Sequence, residues 1–207
     1  MPFSTEQFLS VFELYNTAIF PTQLILIGLA LTAVVLGMRS RGGRLLSSIL
    51  AFFWAWMAVA YHLLFFSTIN PAAYFFAAVF LIQAVTFIRL GVQKDRFRFR
   101  SGADLSGIAG WLMIAYSLVL YPLLGYSLGH LFPRSPTFGV PCPTTIFTFA
   151  MLLWQRQPVP FYVLAIPLFW SLIGFTAAFY FGMIEDIGLL LAALAATAIL
   201  LARKNSA

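Results

Sequence analysis

"LLSSILAFFWAWMAVAYHLLFF", residues 45–66, is followed after "STIN" by "PAAYFFAAVFLIQAVTFIRLGV", residues 71–92. Neither run contains Asp, Glu, Lys or Arg before Arg89. Each reaches the roughly 20 apolar residues that a helix needs to cross a hydrocarbon core of about 30 Å. Asn70 is a preferred helix-capping residue and Pro71 suits a first helical position, so the pair reads as the start of a second helix after a tight turn. Working outward from this hairpin, the same apolar pattern gives seven candidate helices, near residues 21–38, 45–66, 71–92, 107–129, 143–155, 159–182 and 186–202.

Composition agrees. The chain is 62% hydrophobic and 9% charged, against about 25% charged residues in soluble domains. The expected fold is all-α: a polytopic membrane bundle of seven transmembrane helices forming one integral domain over residues 1–207. It divides into an interfacial amphipathic helix at 4–16 and a seven-helix bundle at 17–204. That span leaves no length for a soluble catalytic or nucleotide-binding module. The one cysteine excludes an internal disulfide. "MPFSTEQFLSVFELYN" carries acids and no basic n-region, unlike a cleaved signal peptide. Phosphate-binding glycine loops are absent, and both lysines lie outside the apolar runs, where no retinal could attach.

The charges set an orientation. In a seven-crossing arrangement the basic residues from Arg39 to Arg44, from Arg89 to Arg100, at Arg156 and at Arg203 and Lys204 all fall on one face, leaving only Arg134 on the other. By the positive-inside bias that face is cytoplasmic and the N-terminus is outside. The net charge of +6 is accounted for in this way, so nucleic acid is not an expected partner. The lipid bilayer is, with anionic headgroups at the basic loops. Asp95 and Asp104 read as loop charges beside that basic cluster.

Phe8, Val11, Phe12 and Tyr15 follow the i, i+3, i+4, i+7 spacing of a helix with one apolar stripe, and Ser4 with Gln7 can form a capping box. This helix is expected on the outer surface. Its acidic stripe, with Glu6 and Glu13, reads either as a solvated face or as the top of a lid over an outer vestibule.

"LFPRSPTFGVPC", residues 131–142, cannot continue a helix through its prolines. A fifth helix from Pro143 to Arg156 would span only about 20 Å at 1.5 Å per residue. The segment before it is therefore expected to dip into the outer membrane half as a re-entrant loop, which is viable only where protein covers it or water reaches it. That geometry places Cys142 at the N-cap, with Thr144 and Thr145 in the first turn, aimed at a cavity. A helix N-terminus favours thiolate and anions, whereas a lone apolar-context Cys is also an ordinary core residue.

Other candidates for that cavity are Tyr61, His62, Asn70, His130, Glu185 and Asp186. The two acids begin the last helix, where they complement its dipole or face His62 or Arg134 as a buried proton or cation site. No cofactor is expected. Cys142 and His62 are the candidate ligands if a soft metal ion is held, and a haem between the histidines is a remoter variant. "PCP" resembles the Cys-Pro motif of heavy-metal P-type ATPases over that string only, and their phosphorylation motif is missing.

"FPTQLILIGLAL" at 20–31 matches "CPTTIFTFAMLL" at 142–153 in pattern, and Phe53 onward matches Phe169 onward. The implied plan of three helices, a linker helix and three more resembles the architecture of the SWEET sugar transporters, without their Pro-Gln dipeptide. As a whole, "YHLLFFSTINPAAYFF", "YPLLGYSLGH" and "PTFGVPCPTTIFTF" resemble a family of bacterial integral membrane proteins of unknown function. That resemblance implies the bacterial inner membrane and no chemistry. The leading functional expectation is a small transporter or channel for a solute or soft metal ion, compatible with a homo-oligomer. The alternatives are a structural or sensory subunit of a membrane complex and, less favoured, an enzyme with Cys142 as nucleophile and a histidine as base.

Overall fold

The computed structural model describes residues 3–205. We number its helices α1 (Thr5–Ile19), α2 (Thr22–Met38), α3 (Gly43–Thr68), α4 (Ala72–Gln93), α5 (Leu105–Ser127), α6 (Pro141–Leu153), α7 (Phe161–Tyr180) and α8 (Ile184–Lys204). Among the described residues there is no strand, only isolated bridges at Phe99–Gln155 and Phe138–Val140. Five helices, α3, α4, α5, α7 and α8, are long and apolar enough to cross a membrane. A sixth span results if α1 and α2, which meet at 86°, are counted as one. Seven full-length spans are therefore not observed: α6 is apolar but has only 13 residues. Large apolar side chains such as Leu24, Ile25, Phe75, Ile82, Leu191 and Leu194 lie on the outside, a surface that soluble monomers rarely present and that lipid would cover.

The short helix is the axis of the fold. Every residue of α6 except Cys142 is buried, and it packs against α5, α7 and α8. A helix apolar all round has no solvent face to keep, so it takes the centre. Trp154 follows it, with its indole seated beside Gly110 and donating from Nε1 to Gly107 O at 3.2 Å. A Cβ on Gly110 would stand 2.7 Å from the indole Cδ1, closer than the packing permits.

The C-terminus of α6 is tied by the basic loop. Arg100 N–H donates to Trp154 O at 2.8 Å and Arg156 N–H to Arg98 O at 2.9 Å. The Gln155 side chain accepts from Arg98 N–H at 2.6 Å and donates to Arg96 O at 3.2 Å. Arg203, from the end of α8, donates to Leu153 O at 3.1 Å and Gln155 O at 2.9 Å. A cation on the last carbonyls of a buried helix complements its dipole. Asp104 caps α5 by accepting from Gly107 N–H at 2.9 Å and pairs with Arg156 at 2.8 Å. The Arg156 guanidinium, then the Gly107 amide, hold the Asp104 carboxyl below its ordinary value. Asp95 is lowered in the same direction by Arg98, with Arg44 adding to it.

Prolines interrupt two of the long helices, and each break has a local answer. Pro122 follows a π-helical stretch at Tyr116–Leu120, where the wider turn accommodates the missing N–H. Pro167 sits inside α7 and removes the amide that would bond Val163 O. Gln83, buried on α4, supplies the replacement, donating from Nε2 to that carbonyl at 3.1 Å.

The start of α4 comes one residue later than expected, at Ala72 with Pro71 as N-cap, while Asn70 Oδ1 still accepts from Ala72 N–H at 3.0 Å. The Ser4–Gln7 capping box forms in α1, and Phe8, Val11, Phe12 and Tyr15 are its buried face. The start of α6 differs from expectation. The helix begins at Pro141 with extended Val140 as N-cap, so Cys142 is its second residue and not its cap. Proline is well suited to a first helical turn, where the amide it lacks has no helical partner. The proposed repeat equates α2 with α6, yet α2 is open along one side and α6 is enclosed on all of them.

Candidate functional site

At the end of the bundle that carries α1, a cavity of about 140 Å³ lies between α1, α3, α4, α5, α6, α7 and α8. Its roof is the apolar face of α1, with Phe8 and Phe12. Aromatic walls come from Tyr61 and Phe66 of α3, Phe76 of α4 and Trp170 of α7. Gly174 of α7 leaves room beside Cys142, since a Cβ there would stand 3.2 Å from Sγ and 3.2 Å from Trp170 Nε1.

The polar groups gather at Asp186. It closes a short 3₁₀ turn that opens α8 and is 2% exposed. Its Oδ1 accepts from Tyr121 O–H at 2.5 Å, and the Cys142 thiol stands against the same carboxylate. Among the described residues no basic side chain forms an ion pair with Asp186. The adjacent Glu185 turns the other way. Its Oε1 meets His130 Nδ1 at 3.0 Å, its carbonyl accepts from Tyr116 O–H at 2.8 Å, and its Oε2 is buried without a partner. A buried acid is stable only when paired or hydrogen-bonded, and consecutive residues of one turn meet that requirement with different partners.

Cys142, Tyr61, Asn70 and Asp186 therefore share one cavity. Thr144 and Thr145 do not line it. Thr144 accepts from Gly139 N–H at 3.0 Å, which fixes the entry to α6, and Thr145 is buried with its hydroxyl unpartnered. His62 is fully buried within a π-helical stretch, Met57–Leu63, ringed by Phe66, Phe76, Phe80 and Trp170 at centroid distances of 4.7–5.9 Å. Neither ring nitrogen has a hydrogen-bond partner. The acids pair with neither His62 nor Arg134: Glu185 meets His130, just beyond α5, and Asp186 meets Tyr121 within it. Neither His62 nor His130 hydrogen-bonds Cys142, so the less favoured nucleophile–base pair is not assembled. Among the described residues no three His, Cys, Asp or Glu side chains are grouped to hold a metal ion.

Arg134 instead fastens α1. It pairs with Glu6 and, at 3.5 Å, with Glu13. A residue that sequence reasoning passed over does more: Asn16 is fully buried, and its side-chain amide donates to Pro133 O and Ser135 O, each at 2.7 Å, and accepts from Thr137 O–H at 2.7 Å. Its place four residues after Phe12, on the continuation of the apolar stripe, was the available signal. Tyr121, Trp170 and the Phe rings were likewise not selected as site residues, since aromatic residues occur throughout the chain and only packing distinguishes those at the cavity.

A model for a family of unknown function, DUF6064, matches residues 5–207, and the chain belongs to that family. No curated protein matches and no solved structure matches.

Proposed function

We propose that this protein is a small membrane carrier or channel that admits a small solute to the cavity roofed by α1. The observation that carries the reading is the cavity itself: about 140 Å³, lined by Asp186, Tyr121 and Cys142, within a bundle whose outer surface suits lipid. Its volume is close to the roughly 150 Å³ engineered cavity that takes up benzene. In this reading the chain lies in a bacterial inner membrane with α1 outside and the basic loops in the cytoplasm. Short α6 and the buried segment before it, Phe138 to Val140, together make a seventh passage, with irregular backbone covered by protein. The α1 helix, held by Asn16 and Arg134, forms the lid.

The test uses the one cysteine. Intact cells are treated from outside with a small thiol reagent whose fixed positive charge keeps it from crossing the membrane, and modification of Cys142 is read by mass spectrometry. Native-state labelling, slowed when Ala177→Trp fills the cavity wall, is expected. Labelling only after denaturation would make Cys142 a packed thiol and favour a structural subunit instead.

A further inference from the structure

The cavity combines two features that rarely meet by accident of packing: aromatic rings on several sides and one buried carboxylate with no cationic partner. Tyr61, Phe66, Phe76, Tyr121 and Trp170 come from four different helices, and Asp186 from a fifth. Ring faces carry negative charge density and attract a cation held within about 6 Å of the centroid, most strongly where water is excluded. An ionised carboxylate in such surroundings needs a counter-charge, since burying it alone is costly. Tyr121 offers a hydrogen bond and no charge.

The chemistry of the lining excludes several solutes. An anion would meet Asp186 with Glu185 beside it. A bare inorganic cation such as calcium requires six to eight oxygen ligands, and the cavity surface is mostly apolar. A sugar-like solute would leave most of its hydroxyls facing those rings, unpaired. A cation whose charge is spread over methyl or methylene groups fits both features: the rings take its apolar shell and Asp186 its charge.

We infer that the cavity binds a small organic ammonium ion, with Asp186 as counter-charge and the rings of Tyr61, Phe66, Phe76, Tyr121 and Trp170 as its walls. This rests on the reading of the cavity as a solute site and names the class of solute. The volume limits the ion to a few non-hydrogen atoms, the size of tetramethylammonium or choline. The proton is the competitor, because Asp186 without a cation is stabilised by protonation. The other titratable groups around it are Glu185, already engaged with His130, and the Cys142, Tyr61 and Tyr121 side chains.

The test compares choline with 3,3-dimethylbutan-1-ol, which has the same shape and no charge, by calorimetry and Trp fluorescence on the full chain in lipid nanodiscs. Choline is expected to bind at least tenfold more tightly, and Asp186→Asn is expected to reduce that difference to the part the rings supply. Equal affinity for the two compounds, or a choline preference unchanged in Asp186→Asn, overturns the inference. The wild-type comparison stands by itself if the variant does not fold. If neither compound binds while Cys142 remains reachable from outside, the ammonium assignment fails and the solute site stands. If Cys142 is unreachable as well, both fail together.

Discussion

Replacing Gln83 by Leu tests how this bundle tolerates a proline in its interior. The Val163 carbonyl has lost its helical donor to Pro167, and Gln83 Nε2 at 3.1 Å takes the donor's place. Leu is close to Gln in volume, so the variant changes packing little and leaves a buried carbonyl unsatisfied. Such a group costs about 1–3 kcal/mol. Side-chain hydrogen bonds inside membrane proteins average about 0.6 and reach about 1.7 kcal/mol. The unpartnered Gln83 Oε1 offsets part of the cost, since its removal is favourable. An overall loss of about 1 kcal/mol follows. The decisive comparison is a double-mutant cycle with Pro167→Ala, which restores an amide to α7. In that background Val163 O has its own helical donor, and Gln83→Leu should then cost only a few tenths of a kcal/mol. Reversible unfolding of all four proteins by SDS titration in mixed micelles, followed by far-UV ellipticity, supplies the energies. An equal loss from Gln83→Leu in both backgrounds would refute the argument that the glutamine compensates for the proline.

Asn16→Ala leaves Pro133 O and Ser135 O without the amide that joins them to α1. It should destabilise the α1 end by about 1–3 kcal/mol and accelerate Cys142 labelling, both measurable on one preparation. Gly174→Ala places a methyl 3.2 Å from Cys142 Sγ and 2.9 Å from buried Leu189 Cδ2, so labelling should slow and thermal unfolding should show the loss of about 1–3 kcal/mol that overpacking costs. Asp104 has a lowered folded-state value because of Arg156 and the Gly107 amide. Its stabilising contribution is present above the unfolded carboxylate value of about 3.9 and is lost as pH falls through the folded value. Asp104→Asn should therefore flatten the acid limb of the stability profile in that window and leave the slope near neutrality unchanged.

What the chain's own order of residues determines here is helical character and approximate placement. The runs at 45–66 and 71–92 are apolar for membrane length, and backbone amides in that setting have to bond within their own segment, so helices follow without reference to neighbours. The Asn70 hydrogen bond to Ala72 and the Ser4–Gln7 box are contacts between residues two or three apart; the box formed as read, and the Asn70 bond formed with the helix starting one residue later. The shortness of the helix after Cys142 was legible for the same local reason.

Partnership was decided by tertiary structure. Glu185 and Asp186 are adjacent, yet one meets His130 from the end of α5 and the other Tyr121 within it. Thr144, Thr145 and His62 share the polarity of cavity residues, but the rotation of α6 and the aromatic packing around α3 turned them into the core. In a sequence with 23 Phe and 8 Tyr, every helix but α2 and α8 offers rings, and periodicity cannot distinguish a ring that faces lipid from one that faces Asp186. That distinction depends on helix rotation, set by close approaches at Gly110 and Gly174 and by Asn16 and Gln83 reaching across to backbone carbonyls. These contacts join residues 47 to 119 positions apart or depend on a neighbouring helix's side chains, and no local pattern encodes them. The central position of α6 arises in the same way: its composition requires burial, and only the packing of α5, α7 and α8 around it puts that burial at the axis.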